Sequence, residues 1–225
     1  MNIVLFGPPG AGKGTQADNL VKYFNLYKIS TGDLLRNEIK NNTELSKKIN
    51  KNINKGELAP DDVINSLIVR ILSDRKFYNR LIFDGYPRNI NQAINLDKLL
   101  KEYNQKISLV INLDVSKDLI IKRILGRQIC NKCGLIFNKY FVNLENNDHK
   151  CDPKYLETRA DDNEDTAINR FETYLQKTLP ILNYYKNQNL LHSINGNDDI
   201  SSIFDQIRSI IPSLEAWLYN KYLYK

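Results

Sequence analysis

The sequence predicts an α/β domain of three layers, in which a five-stranded parallel sheet is covered by helices on both faces. Short apolar runs occur at Asn2–Gly7, Tyr27–Ser30, Arg80–Asp84, Ser108–Asp114 and Leu190–Ile194, as expected of strands buried on both sides. Helical periodicity fills the intervals. It is clearest where Val63, Ile64, Leu67, Ile68, Ile71 and Leu72 make one apolar face behind a Pro60-Asp61 start. Such alternation produces a parallel sheet with crossover helices. The length, 225 residues, suits one large core with small inserts.

The first strand, carried by Ile3-Val4-Leu5-Phe6, runs into Gly7-Pro8-Pro9-Gly10-Ala11-Gly12-Lys13-Gly14-Thr15, and a helix is expected from Thr15 to Phe24. Strand, glycine-rich loop and helix start together make a phosphate site, a P-loop. The glycines let successive N–H groups point inward, and the helix N-terminus adds partial positive charge. Lys13 can reach the outer phosphates of a nucleoside triphosphate. In the commonest form of this loop a hydroxyl residue follows the lysine and ligates Mg²⁺; here Gly14 follows and Thr15 comes one place later. The metal is therefore expected to be held elsewhere.

Two stretches interrupt the alternation. Residues 30–59 are polar and helical (Leu34, Leu35, Ile39, then Leu45, Ile49, Ile53), with no convincing strand. Residues 127–162 hold Cys130-x-x-Cys133, the alternating Ile136, Phe137, Tyr140 and Phe141, and an Asn/Asp/Lys-rich turn. Both read as inserts rising from a core made of 1–29, 60–126 and 163–225. After Pro212, Leu214, Trp217, Leu218 and Tyr222 recur at helical spacing and are expected to dock on the core.

The net charge of +6 is moderate, and the lysines are scattered rather than clustered. A solvated basic surface is expected rather than a nucleic-acid face. No run approaches the length of a membrane span and no leader pattern precedes the first strand, so the expectation is a soluble cytoplasmic protein without a membrane partner. Three cysteines, two of them at Cys130 and Cys133, suggest metal before disulfide in a reducing compartment. Arginine is scarce, ten against twenty-two lysines. Each arginine thus invites a question about geometry, because its planar fork grips phosphate as lysine cannot.

The arginines that matter stand beside motifs. Asp84-Gly85-Tyr86-Pro87-Arg88 ends an apolar strand at the sheet edge where ligands bind. Asp84 is the natural candidate to hold Mg²⁺ through water. Arg123 and Arg127 are expected on one face of a helix starting near Asp118. Arg159 opens Arg159-Ala160-Asp161-Asp162, Arg170 follows in the next helix, and Arg36 ends Ser30-Thr31-Gly32-Asp33-Leu34-Leu35-Arg36. As a set they look like a clamp on a polyphosphate. Phosphoryl transfer needs in-line positioning, neutralised charge and exclusion of water, and the two inserts stand where mobile covers would be needed.

The run Gly7 to Gln16, with Ile29 to Arg36, Asp84 to Arg88 and Arg159 to Asp162, closely resembles the adenylate kinase family in its long-lid form, over about residues 1 to 211. The resemblance implies ATP + AMP ⇌ 2 ADP with Mg²⁺, on a P-loop core with a small helical AMP-binding insert at 30–59 and a lid at 127–162. It implies that Gly10, Ala11, Gly12, Lys13, Gly14 and Thr15 hold ATP phosphates. Arg123 would flank the adenine and Arg127 would grip phosphates, with Ile136, Phe137 and Asp198 also on the ATP side. Thr31, Arg36, Glu57, Leu58, Ala59, Gly85, Tyr86, Pro87, Arg88 and Gln92 would seat AMP. Arg159 and Arg170 would close over the phosphates, making Lys13, Asp84, Arg88, Arg123, Arg127, Arg159 and Arg170 the catalytic set, and Asp161 and Asp162 would act at the lid hinge. ATP, AMP and ADP are the implied partners of a monomer.

Some long lids resemble a zinc knuckle closed by two Cys-x-x-Cys pairs. Here Cys130, Cys133 and Cys151 are available, but Lys154 stands at the fourth place, leaving His149, Asp148 or Asp152 as ligands for a structural Zn²⁺; a metal-free lid is the alternative. Rival readings are a GTP:AMP phosphotransferase, a UMP/CMP kinase, a nucleotide-gated binding module and, weakest, an RNA-binding protein.

Overall fold

The computed structural model describes residues 1–41, 46, 58–141 and 150–211. Five parallel strands form its central sheet: β1 (Ile3–Phe6), β2 (Tyr27–Ser30), β3 (Leu81–Asp84), β4 (Leu109–Asp114) and, at the far edge, a strand over Leu191–Asn195. Their order across the sheet is β2-β3-β1-β4 and then that last strand. Each matches an expected apolar run to within a residue or so at either end. The register sets Ile3 beside Ile82 and Leu109, and Ser30 beside Asp84.

Alternation along β1 feeds two cores. Val4 and Phe6 pack on one face with Ile64, Ile68, Leu96, Leu100 and Ile181. Ile3 and Leu5 pack on the other with Ala17, Leu20, Ile120, Ile124, Ile203 and Ile207. Successive strand side chains point to opposite faces, so a strand that is apolar at every position must be covered twice. The covering helices are α1 (Lys13–Phe24), α2 (Thr31–Lys40), α3 (Asp61–Leu72), α4 (Ile90–Glu102), α5 (Lys117–Leu125), α6 (Glu164–Thr173), α7 (Ile181–Lys186) and α8 (Ile200–Ile210). A single π turn, Tyr174–Thr178, joins α6 to the chain before α7.

From β1 the chain winds outward to β2, returns to β3, then crosses to β4 on the opposite side of β1. Loops leaving β1 and β4 therefore part company above β1, and a crevice opens at the C-terminal strand ends.

The 127–162 stretch contains a small antiparallel sheet. Here β5 (Arg127–Cys130) lies between β6 (Ile136–Asn138) and β7 (Leu156–Glu157); the edge strand of the main sheet is accordingly β8 (Leu191–Asn195). Arg127 consequently does not share a helix face with Arg123. The helix ends at Leu125, Gly126 caps it, and Arg127 begins a strand. A side chain at 126 would run into the side chains of Asn138 and Tyr140, which would have to move aside where the helix end crosses the sheet. In the 30–59 stretch α2 forms as expected, whereas Leu45, Ile49, Ile53 and Glu57 lie outside the described residues, as do Asp148, His149 and the aromatic tail with Leu214, Trp217, Leu218 and Tyr222.

Candidate active site

A cavity of about 1120 Å³ occupies the crevice. Its floor is the loop between β1 and α1. Gly10 and Gly12 sit at φ +83° and +91°, a region that side-chain-bearing residues adopt at a cost. At Gly10 a Cβ would also stand 2.9 Å from Ile124 Cγ1 and 3.1 Å from the Ile120 carbonyl. Whereas α2, α4, α6 and α8 are capped by the side chains of Ser30, Asn89, Asn163 and Asp199, α1 has Gly12 at its cap and no side-chain cap bond. Gly12, Lys13, Gly14 and Thr15 line the cavity, and the cap residue offers no side-chain oxygen to compete for the first amides of α1, which suits an anion site.

Lys13 is curled into the loop, where Nζ donates to the Gly7 and Pro8 carbonyls at 2.7 and 2.8 Å. Burial, opposed by Asp84 and reinforced by Arg88, Arg170 and Arg127, lowers its pKa to about 8. Asp84 ends β3 and faces the same loop, with its Oδ2 3.5 Å from where a Cβ on Gly14 would be. Burial raises its pKa, against the pull of Lys13 and Lys28. The position that carries a hydroxyl in the commoner loop thus lies in contact with a carboxylate.

The arginines converge. Arg36, Arg88, Arg123, Arg127, Arg159 and Arg170 all line the cavity. Burial, with Arg170 nearby and Asp84 opposing, lowers the pKa of Arg88 to about 10; burial with Arg127 and Arg36 does the same for Arg159. This much cationic charge in one cleft is held by few carboxylates. Arg127 donates to both oxygens of Asp162, from Nε to Oδ2 at 2.7 Å and from Nη2 to Oδ1. Arg170 Nη1 donates to Asp161 Oδ2 at 2.9 Å and lies 3.8 Å from Asp162. Asp33 accepts from Arg36 and stands 3.9 Å from Arg159. Burial alone would raise the pKa of Asp161, yet Arg170, Arg127, Arg36 and Arg159 hold it below the usual carboxylate range. Arg159 Nε is buried and finds no hydrogen-bond partner among the described residues, which marks a place for an acceptor.

On the side of β8, Arg123 Nη1 donates to Gly196 O at 2.9 Å and to Ala11 O at 3.4 Å. It ties the glycine loop to the turn that holds Asp198, whose carboxylate accepts from Asn195 and Gln206. Ile136 and Phe137 reach the same cavity, together with Gly12, Gly14, Thr15 and the unexpected Asn138 and Phe141. Asn138 Nδ2 donates to the Arg123 carbonyl at 2.8 Å, linking β6 to α5.

Toward β2 and β3 the cavity is lined by Gly32, Asp33, Arg36, Leu58, Gly85, Pro87 and Arg88. Four residues expected here stand behind the wall. Thr31 is buried and donates to Gly85 O at 2.7 Å. Ala59 is buried in the apolar core. Tyr86 turns inward onto Phe83, its hydroxyl near Asn65 and the Gln92 carbonyl, and the Tyr86–Pro87 bond is cis. Gln92 is buried, with Nε2 donating to Asp61 and Oε1 accepting from the Arg88 amide.

The three thiols of Cys130, Cys133 and Cys151 lie within 4.8 Å of one another. A tight turn sets the first two, with Gly134 at φ +76° and its amide donating to Cys130 O at 2.8 Å. Tetrahedral zinc, with Zn–S of about 2.3 Å, requires sulfurs at roughly this separation. Asp152 is not part of the cluster: its carboxylate accepts from the Lys154 amide at 2.9 Å and pairs with its ammonium at 3.2 Å. An Asp followed by Pro153 serves better as the cap of the short helical turn than as a ligand.

A phosphate loop, a second strand-end motif and converging arginines bound one cleft, and the family model described as adenylate kinase matches residues 5–190. The chain belongs to the adenylate kinase family. It is 46% identical over 211 residues to the adenylate kinase of Pelagibacter ubique, covering 94% of this chain and 99% of that protein. Identity to the adenylate kinase of Enterococcus faecalis is 39% over 213 residues, with 94% and 99% covered. For that of Methanothrix thermoacetophila it is 42% over 217 residues, with 96% and 100% covered. As an adenylate kinase family member the chain is a nucleotide-binding phosphotransferase. Among the described residues no helix is long and apolar enough to cross a membrane.

Proposed function

We propose that the residues of this cleft divide the work of an adenylate kinase, reversible phosphoryl transfer from ATP to AMP giving two ADP, between a donor half and an acceptor half. The observation that carries the reading is the convergence of Lys13 and six arginines on one cavity of about 1120 Å³, larger than the roughly 300–1,000 Å³ of ordinary ligand sites. One nucleotide does not need so many guanidinium groups; two phosphate chains brought together do.

In the donor half, amides from Gly10 to Thr15 receive the ATP phosphates, and Lys13 exchanges the Gly7 and Pro8 carbonyls for phosphate oxygens. Arg123, Asp198, Ile136 and Phe137 frame the base, and Arg127 grips the phosphates. In the acceptor half, Arg36 and Arg88 bind the AMP phosphate beside Leu58, Gly85 and Pro87, while Thr31, Ala59, Tyr86 and Gln92 shape the wall from behind. Arg159 and Arg170 span both halves. Their carboxylate partners Asp33, Asp161 and Asp162 hold the guanidinium groups in place until phosphate arrives. Mg²⁺ bound with ATP supplies charge neutralisation, and Asp84, buried beside Gly14 and Lys13, would hold it through water.

Transfer needs little covalent help once the two phosphates are in line. Alignment alone is worth roughly 7–11 kcal/mol. The division into core, AMP-binding insert and lid belongs to the same reading, and so does a zinc ion on Cys130, Cys133 and Cys151. The reading includes a cytoplasmic monomer with no nucleic-acid or membrane partner; the dispersed lysines support the lack of a nucleic-acid face.

The test is a panel of AMP, GMP, UMP and CMP, each with ATP or GTP as donor. ATP with AMP should be the preferred pair, and Arg88→Ala should raise KM for AMP more than KM for ATP. Preference for UMP, or nucleotide binding without ADP formation, would overturn the reading.

A further inference from the structure

Arg88 is held through its main chain from two sides. Its amide donates to Gln92 Oε1 at 2.7 Å, and its carbonyl accepts from Thr178 Oγ1 at 2.8 Å. Its own Nε donates to Gly85 O at 2.7 Å, so main chain and side chain are fixed together.

The Gln92 amide is itself oriented. Nε2 donates to Asp61 Oδ1 at 2.6 Å, and a flipped amide would set NH₂ against the Arg88 N–H and a carbonyl against a carboxylate. Asn89 Nδ2 holds the same carboxylate at 3.1 and 3.3 Å, while Asn89 Oδ1 accepts from the Gln92 amide N–H at 2.8 Å. The supports come from separate parts of the chain. Asp61 begins α3, and Gln92 lies in the first turn of α4. Thr178 ends the π turn that continues α6, the helix bearing Arg170.

A π turn is uncommon and recurs at functional sites, because its extra residue redirects the side chains that follow. Here it delivers a buried hydroxyl to the carbonyl of an arginine on another element. Arginine's long stem makes its fork only as well placed as its backbone, and a misplacement of about 1 Å can cost roughly 10²-fold in rate.

We propose that Thr178 and Asp61 are positioning residues for Arg88: Thr178 fixes its carbonyl, and Asp61, through Gln92, fixes its amide, so that the guanidinium meets the acceptor phosphate in line. This rests on the reading above that Arg88 binds that phosphate. The π turn then has a purpose, since it sets Arg88 and Arg170 on a common frame.

The test is a double-mutant cycle in the full chain. Thr178→Val keeps the branched shape and removes the hydroxyl. It should lower kcat/KM for AMP about tenfold, the worth of one hydrogen bond, and leave KM for ATP unchanged. Thr178→Ser should restore the rate. In an Arg88→Ala background, Thr178→Val should cause no further loss. The same loss in both backgrounds, or wild-type kinetics in Thr178→Val, would overturn the proposal. Asp61→Ala attacks the clamp from the other side and is judged by the same cycle if Thr178→Val does not fold. Undiminished AMP use in Arg88→Ala alone would instead overturn the acceptor-site reading.

Discussion

Arg127 and Asp162 form a two-pronged pair in which the carboxylate has no solvent exposure and the guanidinium is 15% exposed. The pair joins the first residue of the small sheet to the loop ahead of α6, so it spans the two ends of the 127–162 stretch. Removing one partner from a buried pair leaves an uncompensated charge and costs about 3–5 kcal/mol. Asp162→Ala should therefore destabilise the protein by about 3 kcal/mol in urea unfolding. The double variant Arg127→Ala/Asp162→Ala should be more stable than the sum of the single losses predicts. Strictly additive losses would show that the two residues do not act as a pair.

Lys13 is an ammonium folded into a buried loop at a cost to stability. Its pKa of about 8 lies below the 10.5 of the unfolded chain, so the unfolded state binds the extra proton between those values. The penalty is fully present below about pH 8 and is relieved as pH rises toward 10.5; it is worth about 3 kcal/mol at most. Lys13→Met should remove most turnover yet raise the melting temperature at pH 7. That gain should shrink when melting is repeated near pH 10. A variant with near-normal rates would refute the assigned role, and a lowered melting temperature would refute the stored cost.

The central sheet was legible because each strand is a short apolar run bounded by polar or glycine residues. A strand buried on both faces needs no longer-range information to be seen. The small sheet was not legible. Ile136–Asn138 and Leu156–Glu157 are too short to announce themselves, and both are strands by pairing with Arg127–Cys130. The spacing of Arg123 and Arg127 suggested one helical face, and the Gly126 between them was the signal that the helix ends there. The arginine clamp was readable from its motifs, whereas Asp33, though inside one of them, carried no role until the structure set it against Arg36 and Arg159. Thr178, Asp61 and Asn138 were not readable, since a lone polar residue in a helical or aromatic stretch has no spacing to distinguish it from a solvated one. Nor does the motif from Asp84 to Arg88 reveal that Tyr86 turns inward onto Phe83.

Gly10 and Gly12 separate two costs that usually travel together. Both have positive φ, but only Gly10 has neighbours where a Cβ would go, Ile124 Cγ1 at 2.9 Å and Ile120 O at 3.1 Å. Gly12→Ala should cost about 1–2 kcal/mol from backbone conformation alone. Gly10→Ala should cost more, by the further price of displacing a packed isoleucine and a helix carbonyl. Because Ile124 is itself a buried core residue, Ile124→Ala should destabilise the protein in either background, but by less in Gly10→Ala than in the parent, measured as urea midpoints. Equal losses for the two glycine variants would mean that α5 gives way freely.

The cysteine cluster makes a prediction that does not depend on turnover. Three thiols within 4.8 Å crowd one another's negative charge on ionisation, and burial with the Cys133 and Cys130 sulfurs pushes the Cys151 thiol up to about 11. A bound Zn²⁺ reverses that balance, because thiolates are its ligands and binding releases their protons. Elemental analysis of the purified protein should find about one zinc per chain, and a strong chelator should lower the melting temperature. Cys133→Ser should lose most of the metal, since serine does not replace a thiolate on zinc. Asp152→Asn should keep it, because Asp152 is already committed to the Lys154 amide and ammonium. Loss of zinc in Asp152→Asn would restore that residue as the fourth ligand, and a stoichiometry near zero in the parent protein would refute the zinc reading.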